Sequence, residues 1–198
     1  MHLFDGHNDL LYRMWQCGTD PAHDGAMARG LASVDGHLDL TRASAAGFTG
    51  GLFALFIPNS AAGEELSGGQ PPSYEDASVI CADMLALADE MVARFGDNIA
   101  KCLTVSDILA AQDASKIAMV LHIEGAEMIS ADCHEIEMLY QRGIRSLGPL
   151  WSRPNLFGEG VPLQFPGSPD QGDGLSDAGK RLVRTCNHYG IMLDLSHL

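Results

Sequence analysis

Short apolar runs alternate along the chain with longer stretches whose apolar residues recur at helical spacing. This is the pattern of βα units around a parallel sheet rather than of a sandwich or a helical bundle. Five runs, 2–7, 51–58, 117–124, 144–151 and 191–197, are mostly apolar and end in polar, Gly or Pro positions, as buried strands do. Helices are predicted at 40–46, 74–95, 105–112, 134–141 and 177–189. In the second of these, Val79, Ala82, Met84, Leu85, Leu87, Ala88, Met91 and Val92 make a broad apolar stripe. Ser73 and Asp76 supply an S-x-x-D start signal and Gly96 a C-cap, and Ser176 is placed to cap the last helix. The stretches 59–72 and 154–174 are loop-like, the latter with four prolines and five glycines in 21 residues. The glycines of 47–51 are expected to allow a tight turn into the second strand. No repeat and no shift in composition marks a boundary, so residues 1–198 are expected to form one domain.

Composition narrows the function more than the fold. The 198 residues are 46% hydrophobic, and 12 Lys+Arg against 26 Asp+Glu leave a net charge of −14. A basic face for nucleic acid or an anionic membrane is therefore a poor expectation. Cys17, Cys81, Cys102, Cys133 and Cys186 are odd in number, with no C-x-x-C pair, which argues for buried free thiols in a reducing compartment. No apolar run approaches the ~20 residues of a membrane span, and the first motif begins at Asp5, so the chain reads as cytoplasmic. No G-x-S-x-G elbow, P-loop or G-x-G-x-x-G after a strand is present, which leaves serine-hydrolase, phosphate-binding and dinucleotide readings without support.

Three strand ends carry chemistry. In Phe4-Asp5-Gly6-His7-Asn8-Asp9, His7 and Asp9 stand two apart and point to one face if the strand persists, which suits one cation as well as a solvated turn. Glu124 closes an otherwise apolar strand, where its desolvation must be offset by an ion pair or a metal. His122 shares its parity, and either lines the same interior or is a satisfied core histidine. His197 ends the fifth strand, with Asp194 and Ser196 on the other parity, suited to hydrogen bonds that orient metal-binding histidines. Carboxylates and imidazoles at successive strand ends are what a two-metal hydrolase needs.

The segments Asp5-Gly6-His7-Asn8-Asp9-Leu10, Ile123-Glu124-Gly125-Ala126-Glu127, Gly143-Ile144-Arg145-Ser146-Leu147, Trp151-Ser152-Arg153-Pro154-Asn155, Gly174-Leu175-Ser176 and Asn187-His188-Tyr189-Gly190 through Asp194-Leu195-Ser196-His197 closely resemble, in order and spacing, the membrane dipeptidase (renal dipeptidase) family of zinc peptidases, bacterial branch. Five βα units alone fit either an open doubly wound sheet or part of a barrel. The resemblance implies the latter: an α/β, TIM-like (β/α)8 barrel of the metal-dependent hydrolase type, of which about the first five βα units are present. It implies that His7 and Asp9 bind the first zinc, that Glu124 bridges two zincs and that His197 binds the second. It further implies Trp151 and Asn155 as substrate-facing residues and Asp194 and His122 as supports behind the ligands. A second histidine for the second zinc, an arginine for the substrate carboxylate and a proton-handling aspartate would lie beyond Leu198, in the remaining two-fifths of such an enzyme.

The activity implied is hydrolysis of dipeptides, including ones with a D-residue on the C-terminal side, by a hydroxide held between two Zn²⁺ ions. Animal members carry a substrate-contacting histidine where this sequence has Trp151. That motivates the alternative of a related amidohydrolase acting on another amide, lactam or ester, while Trp151 also reads simply as an aromatic packed on a loop. A third reading is a catalytically incomplete fragment that binds at most one metal. An open barrel section exposes two sheet edges, so the isolated chain is expected to be poorly soluble or unstable. The partner expected is a small dipeptide, with no nucleic acid and no membrane; a homodimer is compatible with the sequence.

Overall fold

A computed structural model describes residues 2–16, 38–59, 72–170 and 172–198. Cys17 and nearly all of the 59–72 loop lie outside the described residues. The chain divides into two compact units, Met1–Leu55 with Ala82–Leu121, and Phe56–Cys81 with His122–Leu198.

The first unit holds β1 (Leu3–Asn8), α1 (Leu10–Gln16), α2 (Leu40–Ala45) and most of β2 (Phe48–Phe56). It also holds the second half of α3 (Tyr74–Phe95), β3 (Ile99–Lys101), α4 (Val105–Asp113) and the start of β4 (Ile117–Glu124). Its strands run β1-β2-β4, with β3 also on β4, and the β1/β2 and β3/β4 pairs are parallel. Gly50 and Gly51 lie inside β2 rather than in the expected turn, which is left to Gly47 with φ 77°. A Cβ on Gly50 would meet the Ala118 carbonyl at 2.6 Å, so the close approach of β4 requires glycine there. Cys102, Ala111, Ala118 and Val120 form a core cluster, packed by Leu52, Ala100 and Ile108. α4 starts at a capping box in which Thr104 accepts from the Asp107 N–H and the Asp107 carboxylate accepts from the Thr104 N–H.

The second unit holds the start of α3, the end of β4, α5 (Glu135–Arg142), β5 (Ile144–Gly148), α6 (Asp177–Tyr189) and β6 (Met192–Leu193), with strand order β4-β5-β6. Ser73 caps α3, accepting from the Asp76 N–H at 3.0 Å, and Ser176 caps α6, accepting from the Gly179 N–H at 3.0 Å. Leu139, Ile144, Leu147, Phe157, Leu182 and Cys186 are fully buried here.

Two expected strands are shorter than their apolar runs. β5 stops at Gly148 because Pro149 has no N–H to continue a ladder, and the chain then reverses at the Trp151–Arg153 bridge. β6 has two residues, not seven: the Asp194 carboxylate accepts from the Ser196 N–H at 2.9 Å, and this Asx-turn ends the strand, placing His197 in a turn. β1 and β6 are also not buried; Leu3, Phe4 and Met192 are 44–52% exposed because, among the described residues, each strand has a neighbour on one side. No helix among the described residues is long and apolar enough to cross a membrane.

Candidate metal centre

In the first unit the end of β1 is pinned from both directions. Asn8 donates its amide to the Leu52 carbonyl at 3.1 Å, and the Asp9 carbonyl accepts the Arg13 N–H at 2.9 Å to open α1. Between these anchors, His7 Nε2 lies 3.2 Å from Asp9 Oδ1, with both side chains partly open to solvent. The two-residue spacing brings imidazole and carboxylate together, although β1 ends at Asn8 and its register slips between Asp5 and Asn8. Two donors each about 2.05 Å from a tetrahedral zinc stand about 3.3 Å apart, so this separation fits a shared cation as well as a hydrogen bond.

β4 is buried along its whole length, and its end in the second unit carries Glu124. The strand end is fixed by Gly125 and Ala126, whose N–H groups donate to the Gly148 and Pro149 carbonyls at 3.1 and 3.3 Å. Here His197 Nε2 lies 3.1 Å from Glu124 Oε1, again the separation of two ligands on one zinc. The other ring nitrogen, Nδ1, is 3.0 Å from Ser152 Oγ. A hydroxyl on Nδ1 fixes the ring and directs Nε2 at the carboxylate, the arrangement metal-binding histidines require. Val161 donates its N–H to the His197 carbonyl at 3.1 Å, so the 154–174 loop also holds this turn.

Asp194 and His122 meet each other, with Oδ2 and Nε2 3.6 Å apart, and His122 Nδ1 lies 2.9 Å from Ser146 Oγ. His122 is 1% exposed and has these polar partners, so its burial is compensated. The hydroxyl that touches His197 is that of Ser152, which the sequence reading did not single out. Trp151 is buried edge-on against Phe56, centroids 4.9 Å apart, and stands 6.3 Å from the His197 ring. Asn155 spends its amide on backbone, donating to the Pro149 carbonyl at 2.9 Å and accepting from the Phe157 N–H at 2.8 Å. It also lines a cavity of about 370 Å³ with Tyr74, Ala126, Glu127 and Leu156.

Beside that cavity, Glu135 accepts from the Ser130 backbone N–H at 3.1 Å and from the Tyr74 hydroxyl at 2.7 Å. Burial raises the Glu135 carboxyl, but these bonds outweigh it and hold it below its ordinary range. Asp132 is brought down to about 2 by hydrogen bonds from Ser130 and then His134, and His134 is raised above 6.5 chiefly by its bond to Asp132.

Residues 1–198, the whole chain, match the membrane dipeptidase family, peptidase family M19. The chain belongs to that family. It is 39% identical over 99% of its length to the uncharacterized protein in the PQQ-III 3′ region of Acinetobacter calcoaceticus, covering 63% of that relative. Among solved structures it superposes over its whole length, with a TM-score of 0.84, on the metallo peptidase dipeptidase AC of family M19, at 39% identity and 57% of that chain. The same TM-score is reached with a metallo peptidase from Rhodobacter sphaeroides liganded with a phosphinate mimic of the dipeptide L-Ala-D-Ala, at 38% identity and 59% of that chain. The chain thus spans about three-fifths of the length of these membrane dipeptidase relatives. Its alternating strands and helices are the α/β architecture of that family's TIM-like barrel, and membership in a metallopeptidase family implies a metal cofactor.

Proposed function

We propose that the protein to which this sequence belongs is a dinuclear zinc dipeptidase that hydrolyses the amide bond of dipeptides, including ones with a D-residue on the C-terminal side. The observation that carries the reading is the pair of imidazole–carboxylate contacts at strand ends, 3.2 and 3.1 Å, in a chain of this family. The donors fit zinc in kind, borderline imidazoles with harder carboxylates, and in spacing.

His7 and Asp9 would hold one ion and His197 the other, with Glu124 the residue proposed to serve both. Zinc bound there would supply a nucleophile from water near neutral pH and a Lewis acid toward the scissile carbonyl. The chain's own contribution is orientation. Ser152 keeps His197 Nε2 turned toward Glu124, and the buried Trp151 ring stands 6.3 Å from that imidazole as an apolar wall. The Rhodobacter relative's ligand, a mimic of L-Ala-D-Ala, supports the substrate class. The substrate contacts proposed for this chain are the Trp151 ring and the loop that Asn155 ties down.

Elemental analysis of the purified protein beside a dipeptide-hydrolysis assay with added Zn²⁺ tests the reading. Two zincs with turnover, both lost in His7→Ala and Glu124→Gln, are expected. Failure on every dipeptide, with turnover of N-acyl amino acids or lactams, would replace it with a related amidohydrolase.

A further inference from the structure

The residues after β2, β4 and β5 in the second unit converge on one buried cation. The Arg153 side chain is 5% exposed and donates Nε to Glu127 Oε1 at 2.8 Å, Nη1 to Asn59 Oδ1 at 2.6 Å and Nη2 to the Ile57 carbonyl at 2.5 Å. Its guanidinium also lies 5.2 Å from the centroid of Trp151 and 5.9 Å from that of Phe56. Glu127, 3% exposed, is folded back by Gly125, whose φ is +85°, and no partner of its Oε2 is found among the described residues. A carboxylate with one oxygen left buried is a costly way to build a mere strut. What it secures is the plane of a guanidinium under the ring that faces His197.

We propose that Arg153, held by Glu127, is a positioning residue that sets the Trp151 ring beside His197 and thereby the substrate wall. The proposal rests on the dipeptidase reading for its kinetic consequence only. Arg is required rather than Lys, because three acceptors in three directions and two ring faces need a planar fork, and an ammonium supplies none of that geometry. Glu127→Gln retains an oxygen for Nε and should retain the ring position.

Two readouts test this. In a Trp15→Phe background Trp151 is the sole indole, and its acrylamide quenching reports ring burial without any need for activity. Arg153→Lys and Glu127→Ala are expected to raise the quenching constant at least ~2-fold and to raise KM for a dipeptide ~10-fold with kcat changed less, a loss of uniform binding. Bound zinc should stay constant, and Glu127→Gln should lie near the parent in every readout. If Arg153→Lys does not fold, the contrast between Glu127→Ala and Glu127→Gln decides. Unchanged quenching and KM in variants that are merely less heat-stable would overturn the proposal and leave the pair a strut. A parent without dipeptide turnover would instead defeat the functional reading, with the quenching contrast still deciding the position of Trp151.

Discussion

Gly125 stands directly after Glu124, and its replacement by alanine tests how the strand end is held. At φ +85° a Cβ is strained, at roughly 1–2 kcal/mol for the left-handed region. The same Cβ would lie 2.6 Å from Glu127 Oε2, about 1 Å inside the optimum for such a contact. Glu127 must move to admit it, and its other oxygen is the one bonded to Arg153 at 2.8 Å, with both side chains buried. Removing one partner of a buried pair outright costs about 3–5 kcal/mol, and a displaced carboxylate loses part of that. Gly125→Ala is therefore expected to cost about 3 kcal/mol. In a background where the pair is replaced as a whole, Glu127→Ala with Arg153→Met, no uncompensated charge is left and the new Cβ has room. The same substitution should then cost only the backbone part, about 1–2 kcal/mol. Equilibrium urea unfolding of the four proteins gives both costs. Equal costs in the two backgrounds, within about 0.5 kcal/mol, would refute the steric link between Gly125 and Glu127 and leave backbone strain as the whole effect.

Ser152→Ala removes the hydroxyl on His197 Nδ1, and zinc affinity measured against a competing chelator should fall ~10-fold or more, less than in His197→Ala; unchanged affinity would show that the ring is oriented by something else. His134 is raised above 6.5, so its contribution to stability is full below that pH and is lost as pH rises through its folded value, while that of Asp132, lowered from 3.8 to about 2, is lost as acid approaches that value. The fall in melting temperature between pH 5 and pH 8 should accordingly be smaller in His134→Ala than in the parent. Burial pushes the Cys81 and Cys186 thiols up to about 12 and Cys102 to about 11, so mass-spectrometric mapping after iodoacetamide at pH 8 should find these three unlabelled until denaturant is added. Ser176→Ala, which deletes the cap of α6, should cost about 1 kcal/mol in urea unfolding.

The long elements were legible because their signals are local. α3 and α6 have the predicted bounds, each announced by a capping serine and carried by periodic apolar residues, and β4 is the uninterrupted apolar run 117–124. Two elements and the start of a third escaped for want of such signals. β3 has three residues, too few to show a period, and exists because Ile99, Ala100 and Lys101 pair in register with Ile117, Ala118 and Met119. α1 follows β1 after a single residue and buries Leu10, Leu11, Tyr12, Met14 and Trp15, too much of its surface for an amphipathic stripe. Gly50 and Gly51 carried a turn signature, yet a neighbouring strand, invisible in local sequence, demands them.

The candidate site divides along the same line between local and distant information. His7 and Asp9 are two residues apart, and that short spacing makes them neighbours; their 3.2 Å contact forms although the regular strand ends at Asn8. Glu124 and His197 are separated by 73 residues, and no spacing rule couples them; the resemblance to a family did. The seven-residue strand that was to carry His197 is absent, yet the pairing survives, because the turn after Asp194 brings the ring to Ser152. What orients the histidine is thus a serine hydroxyl 45 residues upstream, in a chain where serines are common and carry no signature. Arg153 and Glu127 were quoted as letters of motifs without a role. Their pairing spans 26 residues, and the one sequence hint was that Arg153 sits in an aromatic, Pro-containing turn of a strongly acidic chain, where a guanidinium has carboxylates to find and an indole to lie against.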